Sequence, residues 1–299
     1  MKRKIVKQAG KAYTITLPID WIRENNLKEG NEVDFEIISN NLIISTDKKP
    51  KGKSYILKLK GYKDKMTYAQ IGAAYSAGID ELNIITDHDL YPILNQTMGY
   101  ALLDQKGENY LIKDISGISN ENIEELFKRV FQMVLNFYNK FLEDTLNNNY
   151  ASMELLDKME SEVNKYVFYL QRSVMKHANI KEIDDKILFT YTYALEKLAD
   201  EVYRIWRCFV KNSLKLTQQI KDILIQSQKG LEVSFHIFYN PTLDNINKIH
   251  QLKSDVRKKV AILNKIDSKL LELVMHSVRI IEDSADMTHL ALMRKMISP

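Results

Sequence analysis

Leu195-Glu196-Lys197-Leu198-Ala199-Asp200 returns 86 residues later as Ile281-Glu282-Asp283-Ser284-Ala285-Asp286, with Glu, Ala and Asp in the same places. An echo of this kind marks a repeated structural unit when the sequence around it has one periodicity throughout. From Ile118 to Pro299 there is a single glycine, Gly230, and proline stands only at Pro241 and Pro299. Apolar residues recur at three and four, as in Phe127, Val130, Val134, Phe137 and Phe141, and again in Leu271, Val274, Met275, Val278 and Ile281. That spacing lines one face of a helix. It predicts six helices, at 119–147, 150–177, 182–211, 213–239, 242–263 and 266–297, with breaks at Asn147-Asn148-Asn149 and Asn240-Pro241 among others. Each copy of the repeat then sits on the third helix of a three-helix half. Residues 118–299 are expected to form an all-α bundle of two such halves.

Upstream the period changes. Between Ile5 and Ser45 apolar residues alternate in short runs (Ile15, Leu17; Val33, Phe35, Ile37; Leu42, Ile44), the pattern of half-buried strands. Pro18 to Leu27 interrupts them as one short helix, with Asp20 as candidate cap and Gly30 past its end in a position suited to positive φ. The expected order is strand, helix, strand, strand. The link Asp47-Lys48-Lys49-Pro50-Lys51-Gly52-Lys53 breaks both periodicities and reads as a domain boundary.

A smaller α/β stretch, 54–117, follows. Tyr55–Leu59, Glu81–Ile85 and Tyr110–Ile115 read as strands, Lys65–Ser76 and Leu90–Leu103 as helices. Asp87-His88-Asp89 is explained better by a strand end and a helix cap than by a metal. The whole is a multidomain α+β chain, with an N-terminal β domain at 1–47, the α/β domain at 54–117 and the bundle at 118–299.

The segment from Lys4 to Pro18, then Trp21-Ile22-Arg23 and Leu27-Lys28-Glu29-Gly30-Asn31-Glu32-Val33, resembles the AbrB/MazE/SpoVT swapped-hairpin family. The resemblance implies a homodimer made by exchanging hairpins through the N-terminal domain, with the basic first strands and loops on one face. About 45 residues also bury too little surface to be secure as a monomer. Lys2, Arg3, Lys4, Lys7 and Lys11 all precede the first acid, Asp20, the placement of an arm that meets phosphates. Arg3, Lys4, Lys7, Gln8, Lys11 and Arg23 are the candidate contacts to double-stranded DNA. The alternative is that they are ordinary solvated charges. An antitoxin that also neutralises a toxin is a further reading of the same domain, set against by the 250 ordered-looking residues that follow it.

Ala194 to Val202 and Val278 to Met287, the two copies with their flanks, are similar to the repeated signature of PhoU proteins. Asp267 stands upstream of the second copy at that family's usual offset. Both copies depart from the pattern, with Ala199 and Ala285 in place of glycine and without the histidine that commonly follows the aspartate. The resemblance implies a regulator of phosphate uptake acting with a phosphate ABC transporter ATPase or a sensor kinase. A Glu-x-x-x-Asp spacing puts two carboxylates one turn apart on one helix face, and crowded acids in low dielectric call for a proton or a cation. Glu196, Asp200, Glu282 and Asp286 are therefore candidate ligands of a divalent or iron-type metal, with His289 as a possible helper. Simple pairing with neighbouring bases is the competing reading.

Composition narrows the rest. The formal charge of +4 lies in the first 53 residues, where 11 Lys and Arg stand against 7 Asp and Glu, while 54–299 balances at 32 of each. One cysteine, Cys208, excludes an internal disulfide and a cysteine-based zinc cluster. The start, Met1-Lys2-Arg3-Lys4, does not read as a signal peptide, and no apolar run reaches the roughly 18 to 20 residues of a spanning helix, so a cytoplasmic protein is expected. Neither GxGxxG, a Walker loop, a nucleophile elbow, a zincin motif nor paired Glu-x-x-His occurs, so catalysis is not expected. The leading function is a DNA-binding transcriptional regulator whose bundle senses or relays phosphate status. The others are an adaptor that uses the hairpin domain only to dimerise, and a metal-binding protein.

Overall fold

The computed structural model describes residues 2–8, 10, 12–38, 41–46, 52–116, 122–177, 182–263 and 266–297. The chain divides into two compact units, Met1–Gly52 and Lys53–Pro299.

In the first unit β1 (Val6–Gln8) pairs antiparallel with β2 (Ala12–Thr14), α1 (Ile19–Glu24) follows, and β3 (Asp34–Ile38) pairs antiparallel with β4 (Asn41–Ser45). That is one strand more than the alternation predicts, because the chain reverses near Gly10 and sets Val6 opposite Thr14. Helix α1 starts from the extended backbone of Pro18, and Asp20 lies in its first turn without serving as the cap; its charge there still suits the N–H end of the helix. Gly30 has φ +84, as expected. The two hairpins form separate two-stranded sheets. Among the residues from 2 to 46 whose side chains are described none is buried, and Ile5, Val6, Tyr13, Ile19, Phe35, Ile37 and Leu42 are each more than half exposed. The link from Asp47 to Lys51 lies outside the described residues.

The second unit begins with β5 (Ser54–Lys58), α2 (Asp64–Ser76), β6 (Glu81–Ile85), α3 (Tyr91–Leu94), β7 (Tyr100–Lys106) and β8 (Asn109–Asp114). The sheet order is β5-β6-β8-β7, with β5 and β6 parallel across the α2 crossover and the other pairs antiparallel. Leu57, Leu59, Ile71, Tyr75, Leu82, Ile84 and Ile112 make its core. The helix expected over Leu90–Leu103 is not formed. One turn, Tyr91–Leu94, is followed by an edge strand from Tyr100. Gly99 causes the change. It has φ +87, and a Cβ there would stand 2.5 Å from Ser116 Oγ, so only glycine allows the reversal that lays β7 beside β8.

Six long helices complete the unit: α4 (Ile123–Leu146), α5 (Met153–His177), α6 (Glu182–Lys211), α7 (Gln218–Tyr239), α8 (Leu243–Ala261) and α9 (Ser268–Ile297). Side chains of Asn122, Thr217 and Thr242 accept the first free N–H groups of α4, α7 and α8. Helices α4, α5 and α6 pack on one another, as do α7, α8 and α9, and the two sets meet along α6–α9 and α4–α7. Phe127, Phe131, Phe137, Tyr138, Phe141, Tyr191, Trp206 and Phe209 fill the interior. Where α7 crosses α9, a Cβ on Gly230 would lie 1.9 Å from Ile281 Cδ1. Bare backbone is what permits this approach. Among the described residues no helix is long and apolar enough to cross a membrane.

Helix α2 of the sheet layer packs on α5. There Arg172 is buried, its guanidinium 4.8 Å from the centre of the Tyr75 ring and 5.1 Å from that of Tyr100. It donates to the Tyr75 carbonyl at 2.8 Å and to Asp114 Oδ2 at 2.7 Å. Lys176, one turn on, reaches Asp80 Oδ1 at 2.6 Å and Asp114 Oδ2 at 2.7 Å. Burial alone would raise the Asp114 carboxyl, but hydrogen bonds from Lys176, Ser116 and Arg172 outweigh it and hold it at about 2.

Candidate functional site

In the first unit the described candidate contacts Arg3, Lys4, Lys7, Gln8 and Arg23 are exposed and spread over three places. Arg3 and Lys4 precede β1, Lys7 and Gln8 lie within it, and Arg23 closes α1. Along a strand successive side chains alternate, so Lys7, opposite Tyr13, and Gln8, opposite Ala12, point to different faces of the hairpin. Lys11 lies outside the described residues. Arg3, Lys4 and Arg23 are thus not gathered with Lys7 by one element.

In the bundle, α6 and α9 run antiparallel. Tyr191 donates to the Met287 carbonyl at 2.9 Å, Glu201 meets His276 Nδ1 at 2.5 Å, and Cys208 faces the Lys269 carbonyl. This register sets Glu196 level with Glu282. Each of the four candidate carboxylates has a base beside it. Lys197 is 3.5 Å from Glu196, Arg204 3.0 Å from Asp200, Arg257 2.5 Å from Glu282 and Lys253 3.1 Å from Asp286. Across from the first pair, α5 brings Asp157, bonded to the Tyr203 hydroxyl at 2.6 Å, and Glu160. Burial raises both Glu160 and Glu196 above the usual carboxylate range; the charges of Asp200, Asp157 and Glu196 add to it at Glu160, and that of Asp200 at Glu196, where Lys197 works against it. Among the described residues no three His, Cys, Asp or Glu side chains are grouped so as to hold a metal ion. As placed, the four do not fit one. Asp267 accepts the Lys269 N–H and so caps α9, and His289 is exposed.

The most deeply embedded charge in the seam is a residue that the repeat does not mark. Glu201 is 5% exposed and receives Arg204 at 2.5 Å, Arg279 at 3.5 Å and His276 at 2.5 Å. Beside it burial, with Glu201 close by, raises the Asp283 carboxyl. A groove of about 280 Å³ runs along α6 and α9 here, lined by Tyr193, Lys197, Asp283, Asp286, Met287 and Leu290. In sequence Glu201 follows Asp200 directly, and its burial could have been read from its place between Leu198 and Val202 on the apolar stripe.

The chain is therefore a helical bundle with an attached α/β layer and a small two-hairpin unit. Residues 6–55 match the family model described as antidote-toxin recognition MazE, bacterial antitoxin. No curated protein and no solved structure matches the chain.

Proposed function

We propose that the protein is a homodimeric DNA-binding transcriptional regulator, the first unit reading double-stranded DNA and the bundle carrying the input. One observation bears most of this reading. Of the residues from 2 to 46 whose side chains are described none is buried, while seven large apolar side chains, Ile19 among them, lie more than half exposed. Isolated hairpins are marginal in water, and a second copy exchanging hairpins supplies the missing cover. The match of residues 6–55 to an antitoxin family supports the same architecture. Exposed Arg3, Lys4, Lys7, Gln8 and Arg23, with Lys11, are the contacts to phosphates and groove edges.

Phosphate supply is the input that the repeat on α6 and α9 suggests, through the likeness to PhoU proteins stated above. Its partner on this reading is a phosphate-transporter ATPase or a sensor kinase, and the arrangement into two three-helix sets agrees with it. An input acts only if it binds two states of the bundle unequally. The description of the matched family favours a second reading, an antitoxin that captures a toxin polypeptide.

Fluorescence anisotropy on DNA from phosphate-transport promoters, titrated across salt beside a Lys7→Glu/Lys11→Glu variant, tests the proposal. Specific binding with a steep salt slope that the variant loses is the expected result. Equal weak binding by both proteins overturns the DNA-reading role and leaves a dimerisation device.

A further inference from the structure

The two copies of the repeat carry the same acids on α6 and α9 but meet opposite charges on the outer helices. Tyr203 and Asp157 fix the antiparallel register of α6 and α5, which sets Glu160 level with Asp200 and Asn164 level with Glu196. In the other half Lys253 of α8 reaches Asp286 at 3.1 Å, and Arg257 grips Glu282 through Nε at 2.8 Å and Nη2 at 2.5 Å. The 86-residue offset equates Glu196 with Glu282 and Asp200 with Asp286, so the counterpart of Glu160 is Lys253 and that of Asn164 is Arg257. A carboxylate and an amide in one half stand where an ammonium and a guanidinium stand in the other.

We infer that Glu282 and Asp286 form a cation site that the chain fills itself, with Arg257 and Lys253 as its tethered occupants, so that the two halves of the bundle cannot take the same ligand. The occupants are seen in place. The Lys253 side chain is only 17% exposed, so its stem is packed and its charged end is held over Asp286. Arg257 presents two N–H groups to one carboxylate oxygen, and a guanidinium in this pose neutralises Glu282 without a free ion. Tethered to α8, both cations act at an effective concentration that a dissolved divalent ion does not match. The inference does not depend on what the first unit binds.

Manganese(II) is the probe, with free ion followed by electron paramagnetic resonance against the full-length protein. In the parent, Glu282→Gln/Asp286→Asn leaves uptake unchanged. Lys253→Glu/Arg257→Asn gives the second half the residues of the first and should gain one further equivalent of manganese, bound at least tenfold more tightly than any ion the parent holds near α8. Adding Glu282→Gln/Asp286→Asn to that background should remove the gain. Lys253→Gln/Arg257→Gln vacates the site without adding an acid and gives the same test if the first pair of changes unfolds the bundle. Loss of manganese from the parent on Glu282→Gln/Asp286→Asn, or no gain once the bases are removed, overturns the inference.

Discussion

Arg172 on α5 and Asp114 at the end of β8 meet at 2.7 Å with side chains 3% and 4% exposed. This is a salt bridge sealed inside the junction of sheet and bundle. Removing Arg172 takes one of two cations from Asp114, which keeps Lys176 at 2.7 Å, so the loss falls below the ~3 to 5 kcal/mol of a fully stranded buried charge. Arg172→Ala is expected to lower the chemical-denaturation midpoint accordingly. Arg172→Met with Asp114→Leu should recover much of the loss, since an apolar pair of similar volume needs no counter-charge. A single mutant within about 0.5 kcal/mol of the parent would show that Lys176 or water serves Asp114 in place of Arg172.

The same carboxyl sets an acid limit. Asp114 is held at about 2, below the roughly 3.9 of an unfolded aspartate. Its stabilising contribution is complete above about pH 4 and drains away as pH falls toward about 2. Thermal melts between pH 5 and 2 should show a parent that loses stability faster than Asp114→Asn, which starts lower and has no such charge to lose. Parallel curves would remove Asp114 from the acid response.

Gly230 gives a packing test. Its added Cβ would meet Ile281 Cδ1 at 1.9 Å, and Ile281 is fully buried. Gly230→Ala should cost roughly 1 to 3 kcal/mol through overpacking, although alanine is the better helix former. Ile281→Val removes the offending methyl, so the double mutant should be more stable than the sum of the singles. Additive losses would mean that α7 and α9 simply move apart.

In the first unit Ile37 is 79% exposed. If a second copy covers it, Ile37→Asp should convert a dimer to a monomer in sedimentation velocity and weaken DNA binding with it. A dimer that persists unchanged would put the contact elsewhere.

Cys208 offers a readout of the bundle. Burial pushes its thiol up to about 11, with the charge of Glu272 adding to the effect. A thiol-specific reagent at neutral pH should label it slowly in the native protein and promptly in denaturant, because the thiolate is the nucleophile.

The six helices were readable because each carries its apolar stripe through several turns. Phe127 to Phe141 show the period within one helix, without reference to any partner. Leu90 to Leu103 misled because Leu90, Ile93 and Leu94 imitate a helical face over one turn, while the deciding fact at Gly99 is a close approach of Ser116, seventeen residues on in sequence. At the candidate site the repeat exposed Glu196, Asp200, Glu282 and Asp286. It did not expose their neighbours, since the position of Arg257 over Glu282 follows from how α8 lies against α9. Arg172 was silent for the same reason: its carboxylate partners lie 58 and 92 residues away.

The clamp of Arg172 and Lys176 sits near the C-terminal end of α5, while Asp157 and Glu160 lie toward the other end of the same unbroken helix. At 1.5 Å per residue the separation from Glu160 to the clamp is about 20 Å. The helix also packs along its length on α4 and α6, so a tilt imposed at the clamp is passed into the bundle. A tilt of about 5° imposed by the sheet would carry Glu160 across α6 by about 2 Å over that length. An adjustment of the sheet layer that tilted α5 in this way would change the company of Glu196 and Asp200.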